Sequence, residues 1–422
     1  MKLPSFKDYV PSTPAARTFA LTALISSIGT GLFLAGSTVF FIRYVGLSNS
    51  QIGLGLATAA VFGFLATVPV GALADRFGSL RALIGTQLWR ACCFIGLCFV
   101  SDPIGFTVVA SCMAVAEGST PPLNQAVVAE TTSPQDRLRA MAIIRTVRNV
   151  GFSLGALLAA PLLSASNPSA FRLLVLGNAL AFSVSACLLM RLKLPRSTAA
   201  RASGSVFSAI KGFRDWRYVA LSTLNGTLCL HMTILSVGIP LWTVTATEAP
   251  TAAVPILVFI NTVLAVVLQV PFSRGADDAK GAGRALRRGG LALAACSVAF
   301  AYAQGTSAAV ALTVLLIGLV LLTFGELWQS VGGWQLSYLF APEGQKATYL
   351  SVFNLGSTSE GIIGPSLLTT VVIGTGRVGW LGLAAFFLLA SLLVRPMVAL
   401  LERQQRPAES EEAKGIPEPL GS

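Results

Sequence analysis

The chain has 422 residues, 54% of them hydrophobic and only 11% charged, with a mean hydropathy of +0.73 and a formal net charge of +12. A soluble domain carries about 25% charged residues. The composition therefore excludes an ordinary globular enzyme and points to a polytopic helical membrane protein, because lipid makes each unpaired charge costly.

In chain order, residues 1–17 are polar. The first apolar run is long enough to cross a core of roughly 30 Å, and no small-residue cleavage site follows it, so the N-terminus is expected to be retained. Twelve spans are predicted: 18–42, 51–73, 81–100, 104–129, 139–163, 170–191, 218–243, 253–273, 287–304, 307–331, 346–372 and 378–400. They group into an N-terminal six-helix bundle (1–193), a basic linker (194–217) and a C-terminal six-helix bundle (218–402). Residues 403–422 mix Pro, Glu and Gly and read as a disordered tail.

Twelve spans place both termini on one side. On that side lie Lys2, Lys7 and Arg17, the Arg76 and Arg81 loop, Arg137 and Arg139, the linker cations, and Arg274, Lys280, Arg284, Arg287 and Arg288. The opposite side holds only Arg43, Arg172 and Arg377. Basic residues favour the cytoplasmic side, which predicts cytoplasmic termini in an inner or plasma membrane. The basic balance is thereby assigned to the bilayer, and no nucleic-acid partner is expected. The seven cysteines all sit in apolar runs, with no C-x-x-C pair and no Cys/His cluster, so neither a metal site nor a disulfide framework is predicted.

The two halves repeat. "VPVGALAD" (Val68 to Asp75) and "VPFSRGAD" (Val270 to Asp277) share Val, Pro, Ala and Asp at identical spacing. "AEGSTPP" around Glu117 and "FGELWQS" around Glu326 each precede a loop proline, Pro134 or Pro342. After each proline come a basic residue and then "NVGFSLG" or "NLGSTSEG". Internal repetition of this kind is typical of transporter folds.

With these features the sequence resembles the major facilitator superfamily over nearly its whole length. The stretch "GALADRFGSLR" is similar to that family's loop between the second and third helices, G-x-L-A-D-R-x-G-R/K-x-x-R/K, with matches at Gly71, Leu73, Asp75, Arg76 and Gly78. Ser79 stands at the usual basic position, and Arg81 brings a positive charge nearby. The likeness implies an all-α major facilitator fold of two pseudo-symmetric bundles. It further implies a latch in which Asp75 pairs with charges or a helix N-terminus of the other half. Ser273 at the position of Gly71 makes that latch asymmetric. Within the superfamily the chain is most similar to bacterial drug:proton antiporters. Their fifth helix often ends a small-residue motif in Gly-Pro; here the fifth span reads "GFSLGALLAAP", and Gly-Pro occurs in the eleventh, at Gly364-Pro365.

Ionisable residues inside spans are functional hypotheses by default. Glu117 and Arg148 both fall near mid-membrane on successive spans and are expected to pair, either for proton coupling or as a static helix contact. Glu326 and Glu360 have no evident basic partner in their own half and are candidates for reversible protonation or cation attraction. Arg90 and Arg145 are expected to be structural or to snorkel. The only histidine, His231, could relay protons or simply hold a helix contact. Trp328, beside Glu326, could line a cavity with Trp242, Phe324 and Trp334. Gly151 and Gly155, with Gly356, Gly361 and Gly364, form small faces expected to pack one half on the other.

No G-x-x-x-x-G-K-[ST], H-E-x-x-H or G-x-S-x-G motif is found, so neither ATP-driven pumping by this chain nor hydrolysis is expected. The reading is a monomeric secondary transporter without cofactor, exporting small amphipathic compounds or drugs on the proton gradient by alternating access. The alternatives are an importer or facilitator of a small metabolite, and a non-transporting receptor or scaffold.

Overall fold

The computed structural model describes residue 11 and residues 13–164, 168–192 and 213–414. Within them the regular structure is helical, arranged as twelve columns. These are α1 (Pro14–Val39, running into a π-helical turn Phe40–Tyr44), α2 (Asn49–Phe77), α3 (Ser79–Leu97), α4 (Pro103–Thr131), α5 (Arg137–Ser164) and α6 (Pro168–Met190). There follow α7 (Trp216–Ala246), α8 (Ala253–Phe272), α9 (Ala279–Ala303), α10 (Ala308–Leu339), α11 (Lys346–Ser366, continuing as π-helix Leu367–Ile373) and α12 (Arg377–Lys414). Eight of these are long and apolar enough to cross a membrane on their own account; α3, α4, α9 and α11 are not. The polar exceptions carry Arg90, Glu117, the Arg284–Arg288 cations and Glu360.

Helix starts follow local chemistry. Ser48 and Gln51 form a capping box on α2, and Asp102 accepts from the Ile104 and Gly105 amides at 3.0 and 2.9 Å to start α4. Asp278 caps α9 through the Gly281 amide at 2.6 Å. That cap starts α9 at Ala279, earlier than the predicted 287, so the Arg284–Arg288 cations lie on the helix rather than in a loop. The backbone of α12 stays helical to Lys414, beyond the 403 boundary expected for a disordered tail. Most of the segment QQRPAESEEAK consists of the helix formers Gln, Arg, Ala, Glu and Lys, with Pro407 the chief exception. Residues 415–422 and linker residues 193–212 lie outside the described residues.

In the first bundle, α1 packs on α5 and α6, α2 on α4, and α3 on α4 and α6. In the second, α9 is central, against α10 and α12, and α11 packs on α7. Aromatic residues fill both cores: Phe33, Phe41, Phe94, Phe106 and Phe182 in the first, and Trp242, Phe300 and Trp380 in the second. Large apolar side chains such as Leu54, Leu65, Phe99, Leu157, Phe259 and Leu389 are exposed on the outside, as a lipid-facing surface requires. The cysteines are all free.

The bundles meet along α2 and α4 against α11, and along α5 against α8 and α10. The small faces expected at this junction lie elsewhere. A Cβ on Gly155 would run into the Ile28 carbonyl and lie 2.7 Å from the Leu32 amide nitrogen, so this face seats α5 on α1 inside the first bundle. Gly356 likewise approaches Ser222 inside the second. Backbone-to-backbone approach is most valuable where two helices stay packed, which places these residues within each rigid unit.

Substituting Gly155 by Val should therefore lower the thermal unfolding temperature of the purified protein, on the order of the 1–3 kcal/mol cost of overpacking. Gly361→Ala, where no atom lies within 4 Å of a new Cβ, should leave it unchanged or slightly raised.

Candidate functional site

The ionisable groups of the helices gather at mid-height, with Arg90, His231, Glu326 and Glu360 buried and Glu117 and Arg148 exposed. Arg90, Glu117, Arg148, His231 and Glu360 each fall near the middle of their columns, with Arg145 and Glu326 somewhat nearer the end that carries the basic loops. They form a cavity in the first bundle, a network between bundles, and isolated sites in the second bundle.

The cavity has a volume of about 190 Å³ and lies between α1, α3, α4 and α5. Hydroxyls of Thr22, Ser26, Ser27, Thr30 and Thr120, the amides of Gln87 and Asn124, and the charges of Arg90, Glu117 and Arg148 line it. Glu117 meets Arg90, Nη2 to Oε1 at 3.9 Å, rather than the expected Arg148. The reason is packing. Sequence-adjacent α4 and α5 touch little, because α5 lies on α1, while α3 runs alongside α4. Arg90 is also held at 4.0 Å over the Phe182 ring, so it is a lining residue rather than a snorkelling one.

Between the bundles, Arg145 of α5 forms an ion pair with Glu326 of α10 and also donates to the Ser330 hydroxyl. The second oxygen of Glu326 accepts from Asn261 of α8 at 3.1 Å, and the same amide donates to Thr323 at 3.0 Å. Glu326 is thus no lone acid: its partner comes from the opposite half. Behind it, Gln329 donates to Asn225 at 2.9 Å and to Cys229 at 3.3 Å, and Cys229 meets Ser357 at 3.2 Å.

Glu360 accepts from the Thr233 hydroxyl of α7. His231 is buried, with Nδ1 at 2.9 Å from the Leu228 carbonyl and Nε2 unpartnered. The Trp328 ring lies tilted against Phe272 at 5.3 Å and Phe324 at 5.9 Å between centroids, and it does not line the cavity. Trp242 is likewise in the core, against Trp380.

At the basic end, Asp75 Oδ1 accepts from the Ala347 amide and Oδ2 from the Thr348 amide, both at 2.8 Å, with the Thr348 hydroxyl at 2.6 Å. These are first-turn amides of α11, so the carboxylate caps a helix of the opposite bundle. Gly71 permits the approach, since a Cβ there would lie 2.8 Å from the Ala347 carbonyl oxygen. Gly78, at φ +99°, is the single residue turning α2 into α3. Arg76 and Arg81 are exposed and take no part in the cap. The Asp277 carboxylate is exposed too, and its backbone carbonyl accepts from Gln335 at 2.5 Å.

Further inter-bundle bonds lie on this side and towards mid-height. Tyr338 donates to the Gln125 carbonyl at 3.0 Å, and Asn354 to the Gly118 carbonyl at 3.5 Å. Pro122 has no N–H, which leaves the Gly118 carbonyl without its helical donor and available to α11.

The pattern that defines the Major Facilitator Superfamily matches residues 19–365. The chain belongs to this superfamily. A multidrug resistance protein, MdtH, of Aeromonas hydrophila subsp. hydrophila is 26% identical over 147 residues, 34% of this chain and 36% of that protein; its Aeromonas salmonicida counterpart is 27% identical over the same length. The chain thus spans about a third of the length of the curated relatives it matches. Among solved structures, the human organic anion transporter MFSD10 is 18% identical with a TM-score of 0.66, covering 91% of this chain and all of that one (100%). A bacterial homologue of the iron transporter ferroportin, in an outward-facing state, is 16% identical with a TM-score of 0.68, covering 93% and 100%. These likenesses establish the fold of a multi-pass membrane transporter.

The sequence-based reading missed Asn261, Thr233 and Thr348 as partners; a lone amide in an apolar run was the available signal only for Asn261. Removing one member of a buried ion pair strands the other, at a cost of about 3–5 kcal/mol. Glu326→Gln and Arg145→Gln should each lower the thermal unfolding temperature in detergent, and the double variant should recover part of the loss. Additive losses would mean the two side chains are not coupled.

Proposed function

We propose that this chain is a proton-coupled exporter of small amphipathic compounds, working by alternating access with its basic end and both termini in the cytoplasm. The observation that carries this reading is the Arg145–Glu326 pair, an acid of one bundle that among the described residues is paired with a base of the other alone. While it holds, the bundles are drawn together near the basic end. Protonation of Glu326 removes the attraction and lets that end part. Exposure of Glu326 to the more alkaline cytoplasm then returns the proton. Proton uptake from outside is thereby linked to opening inward, the order an antiporter needs to pick up cargo inside and release it outside.

The Asp75 cap adds a second, weaker closure of the same end. An anion at a helix N-terminus contributes about 0.3–1 kcal/mol when exposed and up to about 2 when partly buried. The resemblance to relatives named for multidrug resistance supports export and a broad substrate range.

Proteoliposomes with a pH gradient and a panel of amphipathic dyes test the coupling. Wild-type protein should accumulate at least one dye only under the gradient, and Glu326→Gln should cut that uptake at least about tenfold while retaining dye exchange between equal pH. Flux indifferent to the gradient would instead make the protein a facilitator, and absence of flux for every compound would favour a receptor or scaffold. Asp75→Asn should shift the balance toward states open at the cytoplasmic end by about 5- to 30-fold, the equivalent of 1–2 kcal/mol. The shift is read as increased thiol labelling of a cysteine introduced at Ser351, and unchanged labelling would reduce the cap to an ordinary loop contact.

A further inference from the structure

We infer that the cavity of the first bundle binds the acidic group of an organic anion, with Arg148 as its counter-ion and Arg90 beside it. The inference rests on the transport reading above and names its substrate class.

The charge arrangement leads to it. The cavity holds two arginines and one glutamate. Arg90 is already engaged, by Glu117 at 3.9 Å and by the Phe182 ring at 4.0 Å. Arg148 is not: among the described residues no carboxylate lies within 4 Å of it. Its neighbour one turn earlier, Arg145, is committed to Glu326. Arg148 is exposed on the cavity lining, so a ligand can reach it, and a carboxylate offered there would meet its planar fork with two parallel hydrogen bonds.

Gln87 adds an independent sign of a missing partner. It is 4% exposed, lines the same cavity, and leaves Oε1 without a donor. A hydroxyl or amide on the ligand would satisfy it. Glu117, whose side chain is 64% exposed on the same wall, disfavours a second negative charge, so the site selects a monoanion. At about 190 Å³ the cavity is smaller than the roughly 300–1,000 Å³ of a drug-sized site. It takes the acidic end of the molecule, and the apolar remainder lies between the bundles.

The test is equilibrium binding to purified full-length protein in detergent at one pH, with 1-naphthoate, its methyl ester and 1-naphthylmethylammonium as probes. Naphthoate should bind at least about tenfold more tightly than either analogue. Arg148→Gln should abolish that preference, and Arg148→Lys should keep part of it. If Arg148→Gln fails to fold, the wild-type probe series decides alone. Preference for the ester or the ammonium, no binding of naphthoate, or an unchanged preference in a folded Arg148→Gln variant would each overturn the inference. Binding in detergent needs no gradient, so naphthoate binding without pH-driven uptake would sink the coupling reading and leave the anion site standing.

Discussion

The centre of the molecule depends on one ion pair, Arg145 with Glu326, because among the described residues neither charge forms an ion pair within its own bundle. In a low-dielectric setting each half alone would hold an uncompensated charge, at a cost of several kcal/mol. Joined, they satisfy one another, and Asn261 and Ser330 take up the remaining hydrogen-bonding capacity. The surrounding architecture keeps this arrangement in place. Gly155 and Gly356 seat helices closely inside each bundle, so the pair sits at the junction of two internally well-packed units.

Asp75 shows a related economy of placement. It lies in the last turn of α2, where the helix dipole disfavours a carboxylate. Its location makes sense only with the opposite bundle present, because the first turn of α11 supplies two amides and a hydroxyl. The same residue is therefore badly placed in one arrangement of the bundles and well placed in the other. The echo at Asp277 carries no such cap, so the two halves repeat in sequence more closely than in this interaction.

The twelve columns were legible because lipid imposes long apolar runs whatever the sequence does otherwise, and predicted and observed limits differ most where a helix runs on into polar sequence, at the start of α9 behind the Asp278 cap and at the ends of α10 and α12. The height of the charged residues was equally legible, since rise per residue fixes it. Pairing was not. Glu117 meets Arg90 and Glu326 meets Arg145 because of which helices lie side by side, and adjacency in sequence misled for α4 and α5. The π-helical turns at Ile234–Gly238 within α7 and at Leu367–Ile373 at the end of α11 also escaped the apolar pattern, although Pro240 and Pro365, each removing an N–H, stand beside them.

The one-residue turn at Gly78 has a mechanical consequence. It leaves no slack between α2 and α3, so the two helices behave as a bent rod with its elbow beside Asp75. Twelve residues along the second arm, roughly 18 Å at helical rise, stands Arg90 on the cavity wall. Any swing of the elbow away from α11 is carried along that arm as a displacement of the wall itself. Release of one end of the protein and reshaping of its interior are then a single movement of one stiff element, requiring no chain of intermediaries between them.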